Sequence, residues 1–159
     1  MRVIVALACL LALCSCSAEP EACTLIGTPV GIGLDVDLPA VAGATLEVCW
    51  DGRCVTPAVV LRPATTNGPQ TCTGTGPDDS CGVSSVPSGG LTGFANVTDL
   101  PAKPVSVKVA LTDAAGAVLL DETVTATPKL TYPNGPKCGE GGPQTGLEVS
   151  AAGAVTERA

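Results

Sequence analysis

Apolar and polar residues alternate with a period of two in several short runs of this 159-residue chain. The run GIGLDVDL places Ile32, Leu34 and Val36 on one face and Asp35 on the other. The runs ATLEVCW and VSVKVALT alternate in the same way, and PAVVLR looks like a buried continuation of the strand pattern before it. Gly, Pro, Asn and Asp separate the runs. Such alternation is typical of strands with one buried face, and no run shows sustained helical spacing. The sequence therefore predicts an all-β sandwich of about seven or eight antiparallel strands, helix-poor apart from its leader.

The N-terminus has the features of an export signal. The apolar run VIVALACLLAL follows a short positive region and is too short for a membrane-spanning helix of about 20 residues. Residues 13–16, LCSC, resemble the lipobox of bacterial lipoproteins, whose final cysteine receives diacylglycerol. The resemblance implies a signal peptide over 1–15, a lipidated Cys16 that anchors the chain in the membrane, and a tether over 16–22. Ordinary cleavage after Ala18, which would release a secreted protein, is the alternative.

Six of the nine cysteines lie beyond the leader and the tether. An even set in an exported chain is typical of a disulfide framework. The six are Cys23, Cys49, Cys54, Cys72, Cys81 and Cys138. Their spacing favours two local bridges, Cys49–Cys54 and Cys72–Cys81, which leaves Cys23 with Cys138, although sequence alone permits fifteen connectivities.

The segment CWDGRC, residues 49–54, predicts a tight hairpin closed by a disulfide. Asp51 and Gly52 suit a two-residue type I′ turn, because both central positions of that turn need a positive φ. The two cysteines then face each other at a non-hydrogen-bonded pair with Cα atoms ~4.5 Å apart, which is within disulfide range. Trp50 shares its face with the apolar residues of the preceding strand, so its ring should cover the core.

The composition disfavours most catalytic chemistry. The chain contains no His and one each of Trp, Tyr and Phe. It therefore cannot build a Ser-His-Asp or Cys-His site or a His-based zinc site, and oxidised cysteines offer no thiolate. Beyond the signal peptide, seven basic residues face fifteen acidic ones, a balance that repels nucleic acid. We expect a non-catalytic protein with no cofactor, no metal and no nucleic-acid partner.

Residues 23–159 are sufficient for a single domain with its own core. Within them, residues 63–92 are rich in Gly and Pro and predict a long loop braced by the Cys72–Cys81 bridge. Such a loop is either a recognition loop or a poorly ordered insertion. We expect any binding surface to lie on this loop and on a neighbouring loop at 133–143.

Residues 94–116, FANVTDLPAKPVSVKVALTDAAG, resemble a strand–turn–strand segment of immunoglobulin-like and fibronectin-like domains. The segments CWDGRC and YPNGPKCG resemble those of small exported proteins of high-GC Gram-positive bacteria. These resemblances imply an immunoglobulin-like β-sandwich in a membrane-anchored lipoprotein outside the cytoplasm, with an interaction or structural role and a protein partner at the cell surface. The alternatives are a secreted protease inhibitor and a small-ligand carrier, each using the disulfide-braced loop.

Overall fold

Strands make up the regular secondary structure in the part of the chain that the computed structural model describes, residues 22–158. This part contains ten strands: β1 Gly31–Val36, β2 Gly43–Trp50, β3 Arg53–Val55, β4 Arg62–Cys72, β5 Cys81–Asn96, β6 Val105–Thr112, β7 Val118–Ala126, β8 Lys129–Leu130, β9 Pro143–Val149 and β10 Val155–Arg158. Two of them, β3 and β8, have only three and two residues, which explains the excess over the predicted number. The predicted signal peptide and Cys16 lie outside the described residues. Residues 22–158 include no helix that is long and apolar enough to cross a membrane.

The strands form two sheets. Sheet A has the order β10-β9-β1-β5-β4, with β8 also paired to β9, and sheet B has the order β3-β2-β6-β7. The all-β, two-sheet class is therefore confirmed, whereas nothing in this strand order identifies the immunoglobulin-like topology in particular. The expectation of purely antiparallel strands is wrong at β1 and β9, which pair in parallel. These strands are far apart in sequence, so their connection is long enough for a parallel pair, and no local pattern specifies its direction.

The core lies between the two sheets and follows the predicted alternation. In β1, Ile32, Leu34 and Val36 are at most 1% exposed, and Trp50 at the end of β2 is only 7% exposed. The buried residues of β6 are Val105, Val107, Val109 and Leu111. Burying an aliphatic side chain of this size contributes ~1.5–3 kcal/mol, so these paired inner faces are the main source of stability.

Three disulfides lie within residues 22–158, and their pairing is the one that the spacing favours. The Cα–Cα distances are 4.1 Å for Cys49–Cys54, 4.0 Å for Cys72–Cys81 and 5.5 Å for Cys23–Cys138. Asp51 and Gly52 have φ values of 50° and 77°, as a type I′ turn requires. Three disulfides in a small domain are typical of an oxidising compartment outside the cytoplasm.

The segment predicted as a loop at 63–92 is instead most of a long antiparallel hairpin formed by β4 and β5. Strand β1 pairs with β5 only as far as Leu91, so residues 63–72 and 81–90 form a two-stranded ribbon, here called the arm. Nearly all of its residues are exposed, and ~10 residues per strand correspond to ~30 Å. The loop prediction was wrong because proline is tolerated in edge strands and at bulges. Register shifts occur between Pro63 and Thr65 and between Asn67 and Gln70.

Candidate ligand-binding groove

The outer face of sheet A contains a groove with a volume of about 680 Å³. In the register of β1 and β5, Gly33 lies beside Phe94 and Asp35 lies beside Thr92. All four residues line the groove. They alternate along β1 and β5 with residues that face the core, so the same alternation that builds the core also builds the groove.

A crossover segment, residues 56–61, forms the far wall of the groove. It connects β3 of sheet B to β4 of sheet A and runs beside β5. Val59 and Leu61 pack against the core, whereas Ala58 and Val60 line the groove. Gly93 permits this close approach, because a Cβ there would lie 3.0 Å from Val59 Cγ1 and 3.2 Å from Leu61 Cδ2.

The opposite wall is formed by an ion pair. Asp35 accepts a hydrogen bond of 2.7 Å from Thr92 Oγ1 and pairs with Arg158 Nη1. The guanidinium of Arg158 lies over Gly146, where a Cβ would be 2.8 Å from Nη2. A side chain at position 146 would therefore displace Arg158 from Asp35.

The second cation of the groove has no such compensation. Arg62, the first residue of β4, has no acidic partner among residues 22–158. Its guanidinium offers five N–H donors in a planar arrangement that matches a carboxylate or a phosphate. The groove thus combines apolar side chains with one cationic group that no carboxylate among residues 22–158 neutralises.

The arrangement is suited to binding a small molecule. Ligand pockets typically have volumes of ~300–1,000 Å³, a mainly apolar lining and a few polar groups that fix orientation. The apolar lining consists of Gly33, Ala58, Val60, Gly93 and Phe94, and the polar lining consists of Asp35, Arg62, Thr92, Asn96 and Arg158. Within residues 22–158, no polar or charged side chain is buried.

The structure does not bring together the two loops expected to form a binding surface. The arm begins where β5 leaves Val36 at one end of β1, whereas residues 131–142 precede Gln144, which lies beside Gly31 at the other end. At the tip of the arm, the carboxylate of Asp79 accepts hydrogen bonds from Gly76 N and Thr73 Oγ1.

Glu47, Cys49 and Cys54 lie close enough to hold a metal ion, with ligand atoms within 4.8 Å of one another. The two sulfurs are joined in a disulfide, however, so neither is available as the thiolate that a metal requires. The cluster is therefore a disulfide beside an exposed carboxylate.

The sequence does not predict the wall formed by Ala58, Val60 and Arg62, because PAVVLR has the pattern of a buried continuation. The alternation of Val59 and Leu61 with these three residues was the available signal. It was weak, because Val60 is apolar although it is 65% exposed.

Comparison of the chain with protein-family models, curated proteins and solved structures gives no match.

Proposed function

We propose that this chain is a non-catalytic, lipid-anchored protein of the cell envelope that binds a small organic anion in the groove of sheet A. The observation that supports this function is the groove itself, whose lining includes Phe94 and Arg62. A small-ligand carrier is one of the alternatives that the sequence leaves open. Ligand pockets have volumes of ~300–1,000 Å³, and the groove is within that range, although it lies on sheet A and not on the disulfide-braced loop.

The charge of the groove supports an anionic ligand. The whole chain has a formal net charge of −7, which disfavours anions at long range. Within the groove, however, Arg158 is compensated by Asp35 while Arg62 is not, so the local charge is positive. A carboxylate attached to an apolar body would pair with Arg62 and cover Phe94 and Val60.

The proposal of a non-catalytic role is supported by the chemistry of the lining. With no histidine in the chain and all six described cysteines in disulfides, the groove offers arginine, aspartate, threonine and asparagine side chains. Asp35, its one carboxylate, is already engaged by Arg158 Nη1 and by Thr92 Oγ1.

The ligand proposal is tested by titrating ¹⁵N-labelled protein with a panel of aliphatic and aromatic carboxylates. We expect chemical-shift changes at Gly33, Thr92 and Phe94 and none at the tip of the arm. Arg62→Gln should weaken binding about fivefold, equivalent to ~1 kcal/mol for a lost hydrogen bond. Lys108→Gln, which removes the same charge on sheet B, is the matched control and should leave binding unchanged.

The anion proposal is overturned if no carboxylate shifts the groove resonances, or if Arg62→Gln and Lys108→Gln bind equally well. Binding of uncharged analogues that is insensitive to Arg62→Gln would leave a carrier function but remove the anion from it.

Lipid anchoring at Cys16 is tested separately by intact mass spectrometry of the native protein, unreduced and reduced. We expect the mass of a chain that begins at Cys16 and has acyl groups, together with a gain of six hydrogens on reduction of its three bridges. A chain that begins after Ala18 without acyl groups would identify a secreted protein instead.

A protease inhibitor is a second candidate, favoured by the tip of the arm. The Cys72–Cys81 disulfide closes the tip, and hydrogen bonds of Asp79 with Gly76 and Thr73 fix its shape. An inhibitor of this kind should block a secreted protease at nearly stoichiometric ratio and resist cleavage between the two cysteines. Free digestion of the tip by a panel of secreted proteases would exclude it.

A further inference from the structure

One end of the sandwich exposes several large apolar side chains. This N-terminal end consists of residues 22–30, 51–53, 97–104 and 127–142, which adjoin the Gly31 end of β1. Four of the large exposed apolar residues lie here: Leu25 is 100% exposed, Ile26 59%, Tyr132 47% and Leu130 36%.

Specific contacts hold these residues together. The Cys23–Cys138 disulfide joins the segment 22–30 to the segment 127–142. Asn134 accepts a hydrogen bond from Ile26 N and donates one to Ile26 O, both of 3.0 Å, and Thr28 Oγ1 lies 2.9 Å from Thr131 Oγ1. Leu25 and Ile26 are therefore fixed on the surface of the folded domain.

Charges of both signs lie at this end and in the tether that precedes it. Its basic residues are Arg53, Lys103, Lys129 and Lys137, and its acidic residues are Asp51, Asp99 and Glu140. Two of the acids are paired, Asp51 with Lys103 at 2.7 Å and Asp99 with Arg53 at 3.7 Å. Counting Glu19 and Glu21 of the tether, five acidic residues accompany four basic ones, so the apolar side chains rather than charge favour contact with a bilayer.

The length of the tether brings the same end to the membrane. Six residues lie between Cys16 and Cys23, so the two are at most ~25 Å apart when the tether is fully extended. Cys23 belongs to the N-terminal end, so a lipid on Cys16 would hold this end close to the bilayer. At such a distance, weak apolar contacts become effective because binding is intramolecular.

We infer that the N-terminal end is a membrane seat: Leu25, Ile26, Leu130 and Tyr132 rest in the headgroup region of the bilayer in which the chain is anchored. The inference rests on the proposed lipid anchor. Leucine and isoleucine supply apolar area, and tyrosine is favoured at membrane interfaces because its ring is apolar and its hydroxyl polar. The seat orients the molecule, since the arm leaves the opposite end of β1 and projects away from the membrane.

The test supplies the anchor synthetically, so that it does not depend on lipidation in the native host. Residues 17–159, ¹⁵N-labelled, are ligated to a dipalmitoylated peptide and inserted into nanodiscs of phosphatidylcholine with a minor fraction of phosphatidylglycerol and a gadolinium-labelled lipid. We expect strong loss of amide intensity at residues 24–26 and 130–135 and little loss at the arm tip, residues 74–79.

The variant Leu25→Ser/Ile26→Ser should abolish this difference in intensity loss, because the tethered domain would then tumble freely. Val83→Ser, which removes an apolar residue that is 49% exposed on the arm, is the matched control and should preserve it. Equal intensity loss at both ends of the unsubstituted protein, or a preference that survives Leu25→Ser/Ile26→Ser, would overturn the seat. Failure of the proposed function is recognised separately, by native mass without acyl groups or by a groove that binds no carboxylate.

Discussion

Tyr132 is linked to Glu140 by a hydrogen bond. Because this bond exists only in the folded protein, the ionisation of the Tyr132 phenol indicates whether the bond is formed. The phenol donates to Glu140 Oε1 at 3.1 Å. This hydrogen bond, followed by the negative charge of the carboxylate, raises the pKa of Tyr132 above its ordinary value of 10.0. Because Tyr132 is the only tyrosine, the near-ultraviolet absorbance of tyrosinate follows this group alone.

We expect Glu140→Gln to lower the pKa of Tyr132 toward its ordinary value, whereas Glu148→Gln, an exposed carboxylate elsewhere on sheet A, should leave it unchanged. The folded pKa is above the unfolded one, so the contribution of this pair to stability is complete below about pH 10 and is lost as the pH rises through the folded pKa. Unfolding in guanidinium should give both variants and the parent the same tyrosine titration. A folded pKa that Glu140→Gln does not lower would contradict the hydrogen bond.

At the scale of the element, the β2–β3 hairpin depends on the conformation of its turn. Gly52 has a φ of 77°, and a Cβ built there meets no atom within 4 Å. Gly52→Ala therefore tests backbone conformation without steric overlap, and we expect a loss of ~1 kcal/mol in unfolding free energy. Denaturation followed by the fluorescence of Trp50, the only tryptophan, measures it.

The matched control for this substitution is Gly82→Ala in β5, which also has free space but no left-handed φ. Its effect should be close to zero or slightly stabilising, because alanine reduces the entropy of the unfolded chain. Equal destabilisation by Gly52→Ala and Gly82→Ala would show that the turn is not of the predicted type.

The strands that could be predicted from the sequence are those with one buried face. Ile32 and Leu34 in β1 and Val107 in β6 alternate with polar residues, and that alternation fixes both the element and its inner face. The arm was mistaken for a loop because both of its faces are exposed. Without a buried face, Thr65 and Ser85 follow no alternation, and Gly and Pro residues resemble those of a turn.

At the scale of the whole molecule, the groove could not be predicted, because its residues come from segments that are remote in sequence. Asp35 and Arg158 are 123 residues apart, and they meet only because β1 is inserted between β9 and β5. Long-range pairing of this kind is determined by the packing of complete sheets rather than by local pattern. The disulfide between Cys49 and Cys54 was easier to predict from the sequence, because the turn between these residues brings them together.

The three disulfides should contribute unequally to the stability of the sandwich. Cys23–Cys138 spans 115 residues and Cys72–Cys81 spans nine. The chain-entropy model predicts a stabilisation of about 5 kcal/mol for the first and about 2.5 kcal/mol for the second. The arm contributes no residue to the core within the part of the chain described, so its disulfide can open locally without exposing the interior.

We therefore expect Cys23→Ser/Cys138→Ser to lower the free energy of unfolding by about 4–5 kcal/mol, and Cys72→Ser/Cys81→Ser to lower it by less than half as much. Guanidinium unfolding followed by Trp50 fluorescence measures the stability of the sandwich, since Trp50 lies in the core and not in the arm. Limited proteolysis measures local opening of the arm. The Cys72→Ser/Cys81→Ser variant should be cut between positions 72 and 81 while its sandwich remains folded. If the two double variants lose equal stability, the arm is part of the cooperative unit and the entropic ranking of the bridges is wrong.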